Sequence, residues 1–98
     1  MRADYDSKAD TIQIELEPPV RHLGYGEDVN NGAVIVSVYK DRPVMLDVIG
    51  TRSGFEEHLR AAAESYDLDA EALIAAAQAA LAAPDRPVTL DVGSRIAA

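Results

Sequence analysis

Strict alternation of apolar and polar residues in several short segments is the feature that most limits how this chain folds. Between residues 11 and 17, Ile12, Ile14 and Leu16 alternate with polar neighbours, a period of two that is typical of a strand with one buried face. Residues 44–49 and 88–92 show the same alternation. Residues 33–39 are apolar on both sides and predict a central strand with both faces covered by helices.

One strand motif occurs twice. The octapeptide DRPVMLDV at residues 41–48 returns as DRPVTLDV at residues 85–92, and only Met45 and Thr89 differ. A strand precedes the first copy, whereas an alanine-rich helix precedes the second, so the repeat does not extend upstream. We interpret it as a repeated strand and not as a duplicated domain.

Two helices are predicted between these copies. Ser53 and Glu56 have the spacing of a capping box, which would begin the first helix, and its apolar stripe follows at helical spacing: Phe55, Leu59, Ala62 and Tyr66. Asp67 or Asp69 would cap a second helix over residues 70–83. Pro84 ends it.

The second helix is apolar nearly all round, with Glu71 and Gln78 as its polar side chains. Such a helix is buried on several sides, and a domain this small hardly surrounds it. We therefore expect a subunit or partner interface, formed by Leu73, Ala76, Ala77, Ala80 and Leu81. Simple packing on the sheet is the alternative.

These elements predict an α+β fold with a small antiparallel sheet of three to five strands, two helices packed on it, and a final strand returning to the sheet. The 98 residues suit a single domain. Within it, residues 1–50 form a β module, residues 51–83 a helical hairpin, and residues 84–98 a C-terminal strand and tail.

Composition excludes several classes of function. The chain has no cysteine and a net charge of −8, with nine acidic and five basic residues in the first half and eight and four in the second. Without cysteine there are no thiolate metal sites or disulfides, and without a basic region direct nucleic-acid binding is not expected. The N-terminal residues lack the pattern of a secretory signal, and no segment reaches the length of a membrane span, so a cytoplasmic protein is expected. No cofactor is predicted.

Two small sites remain as hypotheses. A loop between a strand and a helix N-terminus offers amides, hydroxyls and one guanidinium to an anion, through Gly50, Thr51, Arg52, Ser53 and Gly54. If the two repeated strands lay side by side, Asp47 and Asp91 would form a carboxylate pair for a metal ion. No catalytic residues are predicted, because the serines and the histidines His22 and His58 lack the context of a triad or a zinc site.

The first half also resembles a known family. Tyr5-Asp6, Ala9-Asp10, the alternating Ile12, Ile14 and Leu16, Val29-Asn30-Asn31-Gly32, the valine-rich strand to Val38 and Leu46-Asp47-Val48 carry the likeness. Over residues 2–50 the chain resembles the bacterial family called domain of unknown function 2283. The resemblance implies an antiparallel module of three or four strands and an antitoxin-type role, and it assigns no catalytic residue.

Two functions follow as hypotheses. The first is a non-enzymatic interaction module that binds a basic protein partner, of which a small toxin is the named instance, and that forms homo-oligomers, most simply a dimer. The alternative is a domain that binds a small anion or metabolite, or a small enzyme, through the loop from Gly50 to Gly54.

Overall fold

The computed structural model describes residues 1–16, 25–51 and 54–90, which form six strands and two helices. The strands are β1 (Arg2–Asp6), β2 (Thr11–Glu15), β3 (Tyr25–Val29), β4 (Val34–Tyr39), β5 (Arg42–Ile49) and β6 (Val88–Thr89). The helices are α1 (Phe55–Tyr66) and α2 (Ala70–Ala82). The predicted α+β fold is confirmed.

All six strands form one antiparallel sheet in the order β3-β4-β5-β2-β1-β6. This is one strand more than the largest number predicted, because both β1 and β3 lie in segments without a clear alternating pattern. The final strand does return to the sheet, where it pairs with β1 at the edge.

The turns explain how neighbouring strands pair. Tyr39 pairs with Arg42, so Lys40 and Asp41 form a two-residue hairpin loop, and both have positive φ. This conformation matches the twist of the flanking strands. Asn30 and Asn31 also have positive φ in the turn between β3 and β4, a conformation that asparagine tolerates well.

The hydrophobic core lies between one face of the sheet and the two helices. Alternate residues of the central strands are buried there, together with Leu59, Ala62 and Ala63 of α1 and most of α2; from the strands they are Ala3, Ile12, Ile14, Val34, Val36, Val38, Leu46 and Val48. The prediction that β4 is covered on both faces is wrong. Its second face, with Ile35 and Tyr39, is only partly buried, and no described element packs over it.

Helix α2 packs inside the domain. It lies over β1 and β2 and against α1. Leu73, Ala76, Ala77 and Ala80 have no exposed surface, and Leu81 packs against the same core. The predicted interface residues therefore serve the alternative role, packing on the sheet. Small side chains allow this close approach of helix and strand.

The helix caps differ in one respect from the predicted pattern. Asp69 caps α2 as expected, because its carboxylate accepts a hydrogen bond from the Ala72 amide at 3.2 Å. The residue that caps α1 is Gly54, with φ of 85° and no side-chain cap hydrogen bond. The N-cap is thus one residue later than predicted, and the capping box itself cannot be traced because Ser53 lies outside the described residues.

The two copies of the repeated motif occupy different places in the sheet. The first copy forms β5 near the centre and the second leads into β6 at the edge, with β2 and β1 between them. Both copies begin in the same way, since Asp41 has φ of 63° and Asp85 has φ of 64°. The repeat therefore preserves a turn followed by a strand and not a pairing between the copies.

The cap of α2 yields a stability prediction. We expect Asp69→Ala to lower the free energy of unfolding by about 1 kcal/mol, because the Ala72 amide loses its acceptor. Urea denaturation measures this loss. The control is Glu64→Ala on exposed α1 surface, where a change within about 0.5 kcal/mol is expected. Equal losses in both variants would contradict the assigned cap.

Candidate functional site

The face of the sheet opposite the helices is the candidate site, and we call it the open face. Residues paired across antiparallel strands point to the same side of a sheet. One row of the open face runs across five strands: Asp28, Ile35, Asp47, Gln13 and Asp4. A parallel row holds Gly26, Ser37, Met45, Glu15 and Arg2. Among the described residues no helix or loop is packed over these rows.

Charge on the open face is strongly one-sided. Five acidic side chains lie on this face against two basic ones, Arg2 and Arg42, the partner of Tyr39; the acids are Asp4, Asp6, Glu15, Asp28 and Asp47. The field above this face therefore attracts cations and repels anions.

The centre of the open face is apolar. Asp47 lies between Met45 and Ile49 along β5, and Ile35 is its partner on β4. Ile49 is 47% exposed, which is unusual for a large apolar side chain in this domain. The surface thus combines an apolar centre with acidic surroundings, as protein-binding surfaces often do.

The pKa of Asp47 is raised by its position on the open face. Burial among its neighbours raises the pKa of the Asp47 carboxyl above its usual value, the hydrogen bond from Gln13 at 3.3 Å opposes that rise, and the charge of Asp4 adds to it. The carboxylate is therefore less well solvated than an ordinary surface aspartate.

A shallow groove adjoins the open face at the edge where β1 meets β6. Its volume is about 560 Å³, and it is lined by Asp4, Tyr5, Asp6, Lys8, Asp85, Arg86 and Pro87. Asp85 accepts hydrogen bonds from the backbone and hydroxyl of Ser7 at 2.9 and 2.7 Å, and these bonds lower its pKa. The groove carries charges of both signs and so favours neither an anion nor a cation.

Part of the predicted anion loop, Gly50 and Thr51, is hydrogen-bonded to Asp10. The Asp10 carboxylate accepts hydrogen bonds from the Thr51 hydroxyl at 2.6 Å, from the Thr51 amide at 3.2 Å and from the Tyr5 hydroxyl at 2.8 Å. The Gly50 amide donates to the Asp10 carbonyl. The Asp10 carboxylate, which comes from the turn between β1 and β2, would repel an anion at this end of the loop. Arg52 and Ser53 lie outside the described residues.

The predicted metal pair is not assembled by the described strands. Asp47 lies on β5, which is separated from β6 by two strands, and Asp91 lies outside the described residues. Within residues 1–16, 25–51 and 54–90 there is no group of three or more acidic, histidine or cysteine side chains arranged to hold a metal ion. His58 instead pairs through Nδ1 with the Asn30 amide at 2.7 Å.

Sequence reasoning missed the open face because its residues come from five strands that are distant along the chain. The alternating pattern does contain a signal for this face, because every polar residue between the buried positions of β2 and β5 belongs to it. Knowledge of which residues pair between these two strands would have placed Gln13 next to Asp47. The groove was missed for the same reason, since it joins residues 4–8 to residues 85–87.

Comparisons of the chain with known proteins found no match. No family model matches the chain, and neither a curated protein nor a solved structure matches it. The resemblance over residues 2–50, and the antitoxin role that it implies, therefore stay predictions. In the described part of the chain, neither helix has the length and apolar character needed to cross a membrane.

The position of Asp47 predicts a gain in stability when its charge is removed. We expect Asp47→Asn to raise the free energy of unfolding at neutral pH by about 0.5 kcal/mol, because the amide avoids the partial burial of a charge and the repulsion from Asp4. An asparagine oxygen still accepts from Gln13. Urea denaturation at several pH values measures the difference.

The pH dependence of this gain follows from the raised pKa. Because the folded chain holds the Asp47 proton more tightly than the unfolded chain, the unmodified protein gains stability from this group as the pH falls through the raised pKa. The variant binds no proton there, so its advantage should narrow over the same range. An advantage that is equal at neutral and acidic pH would contradict the assignment.

The hydrogen bonds of Asp10 predict a weak or absent response to anions. Inorganic phosphate should not raise the melting temperature of the protein beyond the effect of sodium chloride at matched ionic strength, because the Thr51 donors already bind Asp10. A specific rise that disappears in Arg52→Ala would contradict this expectation and restore the anion site.

Proposed function

We propose that this protein is an interaction module that binds a basic protein through the open face of its sheet. The observation that carries the proposal is the continuous row from Asp28 to Asp4, with Ile35, Met45 and Ile49 around Asp47 at its centre. Apolar contact supplies affinity at the centre of such a surface, and the surrounding charge selects the partner.

Charge complementarity makes the partner basic. The face carries five acids against Arg2 and Arg42, in a chain whose net charge is −8. A partner with clustered lysine and arginine residues would be attracted over several ångströms and would neutralise the repulsion among the acids. A small basic toxin, as the family resemblance implies, is one protein of this kind. A cytoplasmic location, expected from the sequence, belongs to the same proposal.

A second copy of the chain is a poor partner for the open face. A symmetric dimer through this face would bring the Asp28–Asp4 row of one copy against the same acidic row of the other, and like charges at an interface cost free energy. The homo-oligomer expected from the sequence therefore requires a different surface.

The proposal is tested by capture of partners with three versions of the protein. The test variant removes three acids from the open face by Asp4→Asn, Asp28→Asn and Asp47→Asn. The control variant removes the same number of charges from exposed positions of α1 by Glu56→Gln, Glu57→Gln and Glu64→Gln. Both changes leave the net charge equally less negative, so a difference between them reports the location of the charge.

We expect a basic protein from the native host to bind the unmodified protein and the α1 variant, and to bind the open-face variant at least about tenfold more weakly, a difference of about 1.4 kcal/mol. Titration of the purified partner at fixed salt concentration measures this. If both variants lose affinity equally, or if the partner is acidic, the proposed surface is wrong.

A further inference from the structure

Asp47 differs from the other acids of the open face in its surroundings. Met45 and Ile49 flank it along β5, and Ile35 and Gln13 flank it on the neighbouring strands. The Gln13 amide donates to Oδ1 at 3.3 Å, and within the described residues Oδ2 has no hydrogen-bond donor. Among the described residues, one carboxylate oxygen at the centre of the apolar surface therefore remains open to a donor from a partner.

A cation at this point would be bound more strongly than one at the edge. When a partner covers the surrounding apolar side chains it excludes water, and the attraction between opposite charges rises as the local dielectric constant falls. Part of the cost of removing water from Asp47 is already present in the free protein. Interface residues that dominate affinity have this arrangement, a central contact enclosed by neighbours that exclude water.

Building on the proposed function, we propose that Asp47 is the anchor of the open face, and that it receives one arginine or lysine from the middle of an amphipathic helix of the partner. An apolar residue one turn before the cation and another one turn after it contact Met45 and Ile49. The partner is thus a basic helix with the pattern apolar–basic–apolar along one face.

The backbone of the sheet favours a helix over an extended segment. The peptide groups of β5 are already bonded within the sheet to β2 and β4, so the face offers no backbone partners to a segment that lies on it. A segment that loses water there must satisfy its own amides and carbonyls, and a helix does so internally.

Spacing agrees with a helix that runs along β5. Alternate residues of a strand, such as Met45, Asp47 and Ile49, are about 6.8 Å apart, and helix positions i, i+4 and i+8 are about 6 Å apart. Asp28 and Asp4 each lie two strands from Asp47, roughly 10 Å to either side. Additional basic residues on the flanks of the helix would reach these two acids.

The helices of a second copy do not fit this description. Helix α1 carries three exposed glutamates against one arginine, Arg60, and that arginine forms an ion pair with Glu71 of α2 at 2.9 Å. Helix α2 has no basic residue. The occupant is therefore a different protein.

Synthetic peptides test the anchor directly. The probe is a helical peptide of about 15 residues with leucine, arginine and leucine at i, i+4 and i+8, lysines on its flanks and an alanine and glutamine background. The control peptide has the same composition, but its arginine is moved off the leucine face. Fluorescence anisotropy measures the dissociation constants for the unmodified protein, for Asp47→Asn and for Asp28→Asn, a control that removes the same charge from the same row.

We expect the patterned peptide to bind the unmodified protein at least about tenfold more tightly than the control peptide does. Asp47→Asn should weaken its binding about tenfold, and Asp28→Asn by less than about threefold, because a charge at the edge remains solvated. Thermal unfolding of both variants first establishes that they are folded.

Four results would overturn the anchor, of which dimer formation is the last. Equal effects of the two substitutions would mean that binding depends on diffuse charge. Equal affinity of the two peptides would mean that the helical pattern is irrelevant. If neither peptide binds, the face takes a different kind of segment. In each case the capture experiment with the triple variants still decides independently whether the open face binds a basic protein. Dimer formation that competes with the peptide would also overturn it.

Discussion

The packing of α2 against β1 and β2 is the contact on which the rest of the structure depends. Leu73, Ala76, Ala77 and Ala80 are fully buried there, and Ala3 of β1 faces them with 1% exposure. The alanines among these residues bring the helix close to the sheet, where many weak dispersion contacts accumulate. Both helices are thereby committed to one face of the sheet, and the other face is left to interact with something else.

The open face departs from the usual pattern of a one-sided sheet, and the proposed function accounts for that departure. A central strand of a one-sided sheet normally alternates apolar residues inward with polar residues outward. On β5, Met45 and Ile49 point outward on either side of Asp47, which lies in a row with two more aspartates. Exposed apolar side chains and like charges on one face both cost stability, and natural proteins tolerate such conflicts mainly at functional sites.

Hydrogen bonds determine how the loops beside this face are used. Asp10, with φ of 51°, places its carboxylate where the Thr51 amide and hydroxyl both reach it. Asp85 likewise joins the turn after α2 to Ser7. These two aspartates connect segments that are distant in sequence, so the acidic character of the chain serves its internal structure as well as its surface.

The alternating and helical periods were sufficient to predict β2, β4, β5 and both helices. Each of these segments buries one face, so its apolar residues recur with the period of the strand or helix. β1 and β3 escaped prediction for a physical reason. β3 is an exposed edge strand that contains Glu27 and Asp28. Because neither face of it is buried, its residues do not alternate between apolar and polar. Tyr25, the first residue of β3, is likewise 55% exposed and does not contribute to the core.

The sequence by itself therefore determined the α+β class, most of the elements and the acidic charge, since these follow from local periodicity and composition. Only the tertiary structure decided the order of the strands. That order separated the two repeated strands, buried the alanine-rich helix within its own chain, and placed Asp28, Asp47 and Asp4 in one row. Strand pairing is a choice among distant segments with similar patterns, and its free energy comes from contacts that no local stretch of sequence contains.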